Sequence, residues 1–157
     1  ALKSLKRRKK NCRVMIREEN QGPQLVMHSV VGGILVQTAD NTAVIKSDWK
    51  VVTKKQPTPE QMADLEFAWV ACKHTKSNAI VFASKGATVG IGSGFPNRVD
   101  AVRFAATQAG EKSKGAVMAS DAFFPFPDSA EEGAKAGIAA IVQPGGSMRD
   151  QLTIDKC

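Results

Sequence analysis

At 157 residues with 43% hydrophobic side chains, the chain is long enough to bury one substantial core and too short for two full domains. No apolar run approaches the roughly 18 residues of a membrane span, and the opening Ala-Leu-Lys-Ser-Leu-Lys lacks the apolar stretch of a signal peptide, so the chain reads as cytoplasmic. The net charge of +7 is local: residues 1–13 hold Lys3, Lys6, Arg7, Arg8, Lys9, Lys10 and Arg13 and no acid, which leaves the body neutral.

A terminal basic run without interleaved aromatics or a recognition motif reads as a solvated helix end or tail, and no nucleic-acid partner is expected. Cys12, Cys72 and Cys157 are odd in number and form no Cys-x-x-Cys pair, so they read as reduced thiols, not as a disulfide framework or structural zinc.

In chain order, Cys12–Ile16 predicts a short strand and residues 18–23 a polar turn. A second strand is expected around Gly33–Gln37, with the role of Gly32 and Gly33 open between a bulge and a close backbone approach. A polar connector ends in Gln56-Pro57-Thr58-Pro59. Thr58 as cap, Pro59 at the first helical position and Gln61 behind it predict a helix, with Met62, Leu65, Phe67, Ala68, Trp69 and Cys72 at helical spacing as far as His74.

The runs Asn78–Ala83 and Ala87–Gly92 flank Ser84-Lys85-Gly86, a hairpin signature. Asn97 is a cap for a helix running to Gly110. A strand over Gly115–Ala119, a helix over Ser129–Ala136 stopped by Gly137, a strand over Ile138–Val142 and a last helix follow. The repeated strand, loop, helix order predicts an α/β sandwich. Leu152–Lys156 runs into Cys157 without a helix-stop signal, which suggests a fragment.

Four features could carry chemistry. The segment from Ser120 to Asp128 places Phe123, Phe124 and Phe126 between Asp121 and Asp128, an apolar loop that must be buried, covered or used to grip a flat ligand. Asp128 can accept two hydrogen bonds from a ring bearing an amino group beside a ring N–H, as in a pterin or guanine, or cap the following helix. Gly90-Ile91-Gly92-Ser93-Gly94 with Asn97-Arg98 is either an anion-binding bend or a tight turn that lets a helix pack closely. Gln143-Pro144-Gly145-Gly146-Ser147 repeats that arrangement at the next strand end. Lys73 and His74 look like an acid/base pair, but helix neighbours point about 100° apart, and a helix-end histidine reads better as a cap. His28 reads as structural.

Lys76-Ser77-Asn78-Ala79-Ile80-Val81, the glycine bend with Arg98-Val99-Asp100, the phenylalanine loop and Gln143–Ser147 resemble, in that order, the transformylase portion of the AICAR formyltransferase/IMP cyclohydrolase family, over about Lys6 to Cys157. The resemblance implies a zinc-free, cytidine-deaminase-like three-layer sandwich with a mixed sheet. The zinc signature His-x-Glu with Pro-Cys-x-x-Cys is absent from the sequence. It divides the chain into 1–55, the tail of a preceding subdomain and a connector, and 56–157, a deaminase-like subdomain truncated at its C-terminus.

It further implies formyl transfer from 10-formyltetrahydrofolate to the 5-amino group of AICAR in purine synthesis, within a homodimer whose sites span the interface. Asn78 and Phe123 are implied for AICAR, and Arg98, Val99, Pro125, Phe126 and Asp128 for the folate. A monovalent cation is implied near Thr75, Ser77 and Asp121. The family's catalytic Lys-His-x-x-Pro-x-Gly segment has no match here, so no catalytic residue is expected in this chain. Phe95-Pro96-Asn97 and Pro127 replace residues that are usually polar or basic. The rival reading is a non-catalytic folate- or nucleotide-binding module, or a partner subunit completing a site in trans.

Overall fold

The computed structural model describes residues 25–42, 44 and 46–157. The strand expected at Cys12–Ile16, its turn and the basic run lie outside the described residues. The chain forms two units, 1–43 and 44–157, each taken by itself.

In the first unit, β1 (Leu25–Val30) and β2 (Gly33–Thr38) make an antiparallel hairpin, with Leu25 opposite Thr38 and Val30 opposite Gly33. Gly32 turns the chain at φ +82°, a conformation costly for a residue with a Cβ. Among the described residues no atom lies within 4 Å of a Cβ placed at Gly32 or Gly33, so the pair serves the turn and makes no close approach to them. His28 lies on β1 and is exposed.

In the second unit, a short 3-10 turn (Lys46–Asp48) leads to Trp49, whose ring meets Trp69 edge-on at 6.0 Å. Helix α1 (Pro59–Lys73) begins as the sequence predicts. Thr58 accepts from the Gln61 amide while the Gln61 side chain accepts from the Thr58 amide, a reciprocal cap that satisfies two otherwise orphaned donors.

The hairpin of β3 (Ile80–Ser84) and β4 (Ala87–Gly92) turns through Lys85 at φ +54° and Gly86 at φ +69°, the paired left-handed conformations that suit a two-residue turn. Asp64 on α1 holds that turn by accepting from both the Lys85 and Gly86 amides. Helix α2 (Arg98–Ala109) follows, capped by the Asn97 side chain on the Asp100 amide.

Then come β5 (Val117–Ser120), α3 (Asp128–Lys135), β6 (Ala140–Val142) and a short α4 (Asp150–Ile154). Gly137, at φ +87°, ends α3: its amide donates to Ala134 and that of Ile138 to Gly133. Ile138 is thereby held in the helix stop, which is why β6 is shorter than the strand expected over Ile138–Val142.

The four strands form one mixed sheet in the order β4-β3-β5-β6, antiparallel except for the β5–β6 pair. Alternating residues of the central strands face opposite layers. Ile80, Phe82 and Met118 pack with Val102, Ala105 and Phe124 beneath α2 and α3. Val81, Ala83, Val117 and Ala119 pack with Leu65, Ala68 and Cys72 of α1. Burial on both faces explains the near-continuous apolar runs of β3 and β5. No helix among the described residues is long and apolar enough to cross a membrane.

Candidate functional site

The strand directions bring three loops to one end of the sheet. Because β3 runs against its two neighbours and β5 runs with β6, the start of β3 lies beside the carboxyl ends of β4, β5 and β6. Asn78, the glycine bend, the phenylalanine loop and Gln143 all occur there, the usual ligand edge of an α/β sheet.

A polar network joins the first three. The Asp121 carboxylate, just past β5, pairs with the Arg98 guanidinium at the start of α2 and accepts from the Ser77 hydroxyl and, at 3.1 Å, from the Ala79 amide. Arg98 also donates to the Ser120 hydroxyl at 3.1 Å and to Asn78 Oδ1 at 2.8 Å. Asn78 Nδ2 in turn donates to the Phe95 carbonyl at 2.9 Å. The two charged side chains retain only 12% and 13% of their exposure, so each needs the other. Burial by itself would raise the Asp121 carboxyl, but the Ser77 hydroxyl, Arg98 and the Ala79 amide together hold it below the ordinary carboxylate value.

Reading the sequence alone places Arg98 at the site through its backbone and misses its side chain's role. As the first two residues of α2, Arg98 and Val99 do carry amide N–H groups without intrahelical acceptors. The guanidinium, however, is engaged inward. The pairing carries no local signal, because Asp121 lies 23 residues away. Asn78 keeps one N–H and one lone pair beyond those used in the network.

The phenylalanine loop divides its three rings. Phe124 is fully buried, whereas Phe123 and Phe126 are 41% and 50% exposed and Pro125 is exposed between them. Arg149 covers one face of Phe126 at 4.8 Å, and Gln143 Oε1 accepts from the Phe124 amide at 2.5 Å. Asp128 opens α3 without capping it in the expected sense. Pro127 holds the cap position with no side-chain bond, and Asp128 Oδ1 accepts from the adjacent Ser129 amide at 2.7 Å.

The first glycine-rich bend resolves toward close packing and the second toward a turn closed by the chain's own carboxylate. A Cβ at Gly90 or Gly92 would lie 2.2 Å from the carbonyl oxygens of Ala105 and Ala101, so these glycines let α2 lie directly on β4. At the second bend the anion is the chain's own: the Gly146 amide donates to Asp150 Oδ2 at 2.7 Å. His74 occupies the C-cap of α1, its amide donating to Ala71, and is exposed. Thr75 donates its hydroxyl to the Ala71 carbonyl at 2.8 Å, while Ser77 is already on Asp121. Among the described residues no group of three or more His, Cys, Asp or Glu side chains is placed to hold a metal ion.

Beneath the network lies a thiol that sequence reading treats only as core. Cys72 Sγ contacts the carbonyls of Ala79, just before β3, and Ala119, on β5, at 3.6 and 3.7 Å. Burial, with a smaller contribution from the Asp121 charge and an opposing one from Arg98, pushes this thiol up to about 12.

Fold and site define a mixed α/β protein with an arginine–aspartate network and a half-exposed aromatic loop at one end of its sheet. Comparison with known proteins gives the family. Residues 1–108 match the family described as "AICARFT/IMPCHase bienzyme". The chain is 52% identical over 148 residues to the bifunctional purine biosynthesis protein PurH of Nostoc sp. (strain PCC 7120 / SAG 25.82 / UTEX 2576), covering 94% of this chain and 29% of the relative. It is 55% identical over 129 residues to PurH of Desulfitobacterium hafniense (strain DSM 10664 / DCB-2), and 56% over 129 to that of Oceanobacillus iheyensis, covering in each case 82% of this chain and 25% of the relative. The chain belongs to the AICARFT/IMPCHase family and spans less than a third of the length of these relatives.

Proposed function

We propose that the chain supplies the folate slot and part of the AICAR pocket of the family's formyltransferase. That enzyme moves a formyl group from 10-formyltetrahydrofolate to the 5-amino group of AICAR, on the route to IMP. The observation that carries this reading is the convergence of Asn78, Arg98 and Asp121 in one network at the sheet end from which Phe123 and Phe126 project.

In this reading Asn78 offers its remaining N–H to the AICAR carboxamide, and Phe123 packs on the imidazole. The first-turn N–H groups of Arg98 and Val99 meet pterin acceptors, Pro125 and Phe126 wall the ring, and Asp128 accepts from its amino group and adjacent N–H. We assign 1–55 to the tail of a preceding subdomain with its connector, and 56–157 to a deaminase-like subdomain within a homodimer. A monovalent cation near Thr75, Ser77 and Asp121 would rest on hydroxyl and carbonyl oxygens, since Arg98 already neutralises Asp121.

The chain's own residues bind and orient in this scheme; they do not move the protons. The attacking amine must lose a proton and the folate nitrogen gain one. Asp121 is held ionised and is a correspondingly weak base. Calorimetry with a reduced folate analogue tests the slot: Phe126→Ala and Asp128→Ala should each weaken binding about tenfold, roughly 1.4 kcal/mol. Equal affinity in the parent and both variants removes the slot. Single-turnover formyl transfer by the 157 residues alone would show that the general base lies within them.

A further inference from the structure

We propose that Gln143 is a positioning residue for ligand binding, acting through the backbone of the phenylalanine loop and not on the ligand. The inference rests on the folate reading above and deepens it. Gln143 follows β6 directly, and its side-chain oxygen accepts from the Phe124 amide at 2.5 Å. Between β5 and α3 the Asp121 amide donates to the Ala79 carbonyl, but Phe124, further along, belongs to no strand or helix that would supply its amide a ladder partner. A loop without such partners is held by side chains or by packing.

The residue it holds is the hinge of the arrangement. Phe124 turns fully into the core, while Phe123 on one side and Phe126 on the other turn outward. Any rotation of the Phe124 peptide therefore changes both exposed rings together. Within Gln143–Ser147, Gly146 serves Asp150 and Ser147 accepts from the Arg149 amide, whereas the Gln143 side chain is turned to the loop. Further along the same turn, Arg149 sits over Phe126, so one segment touches the loop at two points.

Without the acceptor, the Phe124 amide loses its partner and the loop samples other orientations. The binding-competent fraction falls, and the apparent Kd rises by the same factor. A neutral hydrogen bond of ordinary net strength corresponds to about three- to tenfold.

The experiment uses the 157-residue chain and a reduced folate analogue. Gln143→Met keeps length and removes the acceptor, whereas Gln143→Glu keeps an acceptor oxygen. Binding by Gln143→Met should weaken about three- to tenfold, with Gln143→Glu restored to within about twofold of the parent, at matched thermal midpoints. In the parent, hydrogen exchange should show a protected Phe124 amide, a measurement that needs no variant to fold. If the parent binds and Gln143→Met binds equally, burial of the Phe124 ring is a sufficient anchor and the Gln143 inference falls alone. Free exchange of the Phe124 amide overturns it as well. If the parent binds no folate analogue, the functional reading itself falls and Gln143 is a structural contact only.

Discussion

Arg98 and Asp121 are the residues whose loss should be felt most, because each neutralises a charge that is almost out of water. Arg98→Met leaves the Asp121 carboxylate paired only with a hydroxyl and an amide. It should cost about 3 kcal/mol in urea unfolding, the lower end for a broken buried pair given the residual exposure. The pH dependence has a defined sign. Asp121 is depressed in the folded state, so its contribution is present above the ordinary aspartate value of about 4 and is lost as pH falls through the folded value. Thermal melts should therefore be insensitive to this group near neutrality and decline below about pH 4, and Asp121→Asn should flatten that acid limb. Asp121 was legible in the sequence as a carboxylate beside an aromatic run. Its partner was not, because nothing local connects Arg98 to it.

At the level of elements, helix starts and hairpin turns were readable because local chemistry sets them. Thr58, Pro59 and Gln61 satisfy the first amides of α1 with their own side chains and backbone, so the boundary needs no tertiary information. Thr58→Ala should cost about 1 kcal/mol, measured by chemical denaturation. Strand β1 was not anticipated: His28 and Ser29 break its apolar pattern, and its pairing with β2 supplies what the pattern lacks. The glycine bend shows the opposite limit. Its motif suited both anion binding and close packing, and only the placement of α2 on β4 decides. Gly90→Ala or Gly92→Ala forces a Cβ against backbone carbonyls, which cannot move as a side chain can. Each should cost about 3 kcal/mol, the upper end for overpacking, and read out as a lowered midpoint.

For the molecule as a whole, the site is a product of topology. Segments around Asn78, Arg98, Asp121 and Gln143 are scattered over half of the second unit and meet only because β3 is reversed between its neighbours. Motif order was legible in the sequence and carried the family resemblance, which the match over residues 1–108 and the PurH relatives bear out. Which side chains would turn inward was not legible, since the division of Phe123, Phe124 and Phe126 between solvent and core depends on α3 and β6. The thiol below the site gives this topology a clock. Cys72 reaches the carbonyls of Ala79, just before β3, and of Ala119 on β5, and burial holds its thiol protonated at neutral pH. Alkylation must wait for the strand ends to part, so its rate counts openings of the sheet beneath the network, whereas exposed Cys157, although partial burial raises its thiol, needs no such opening.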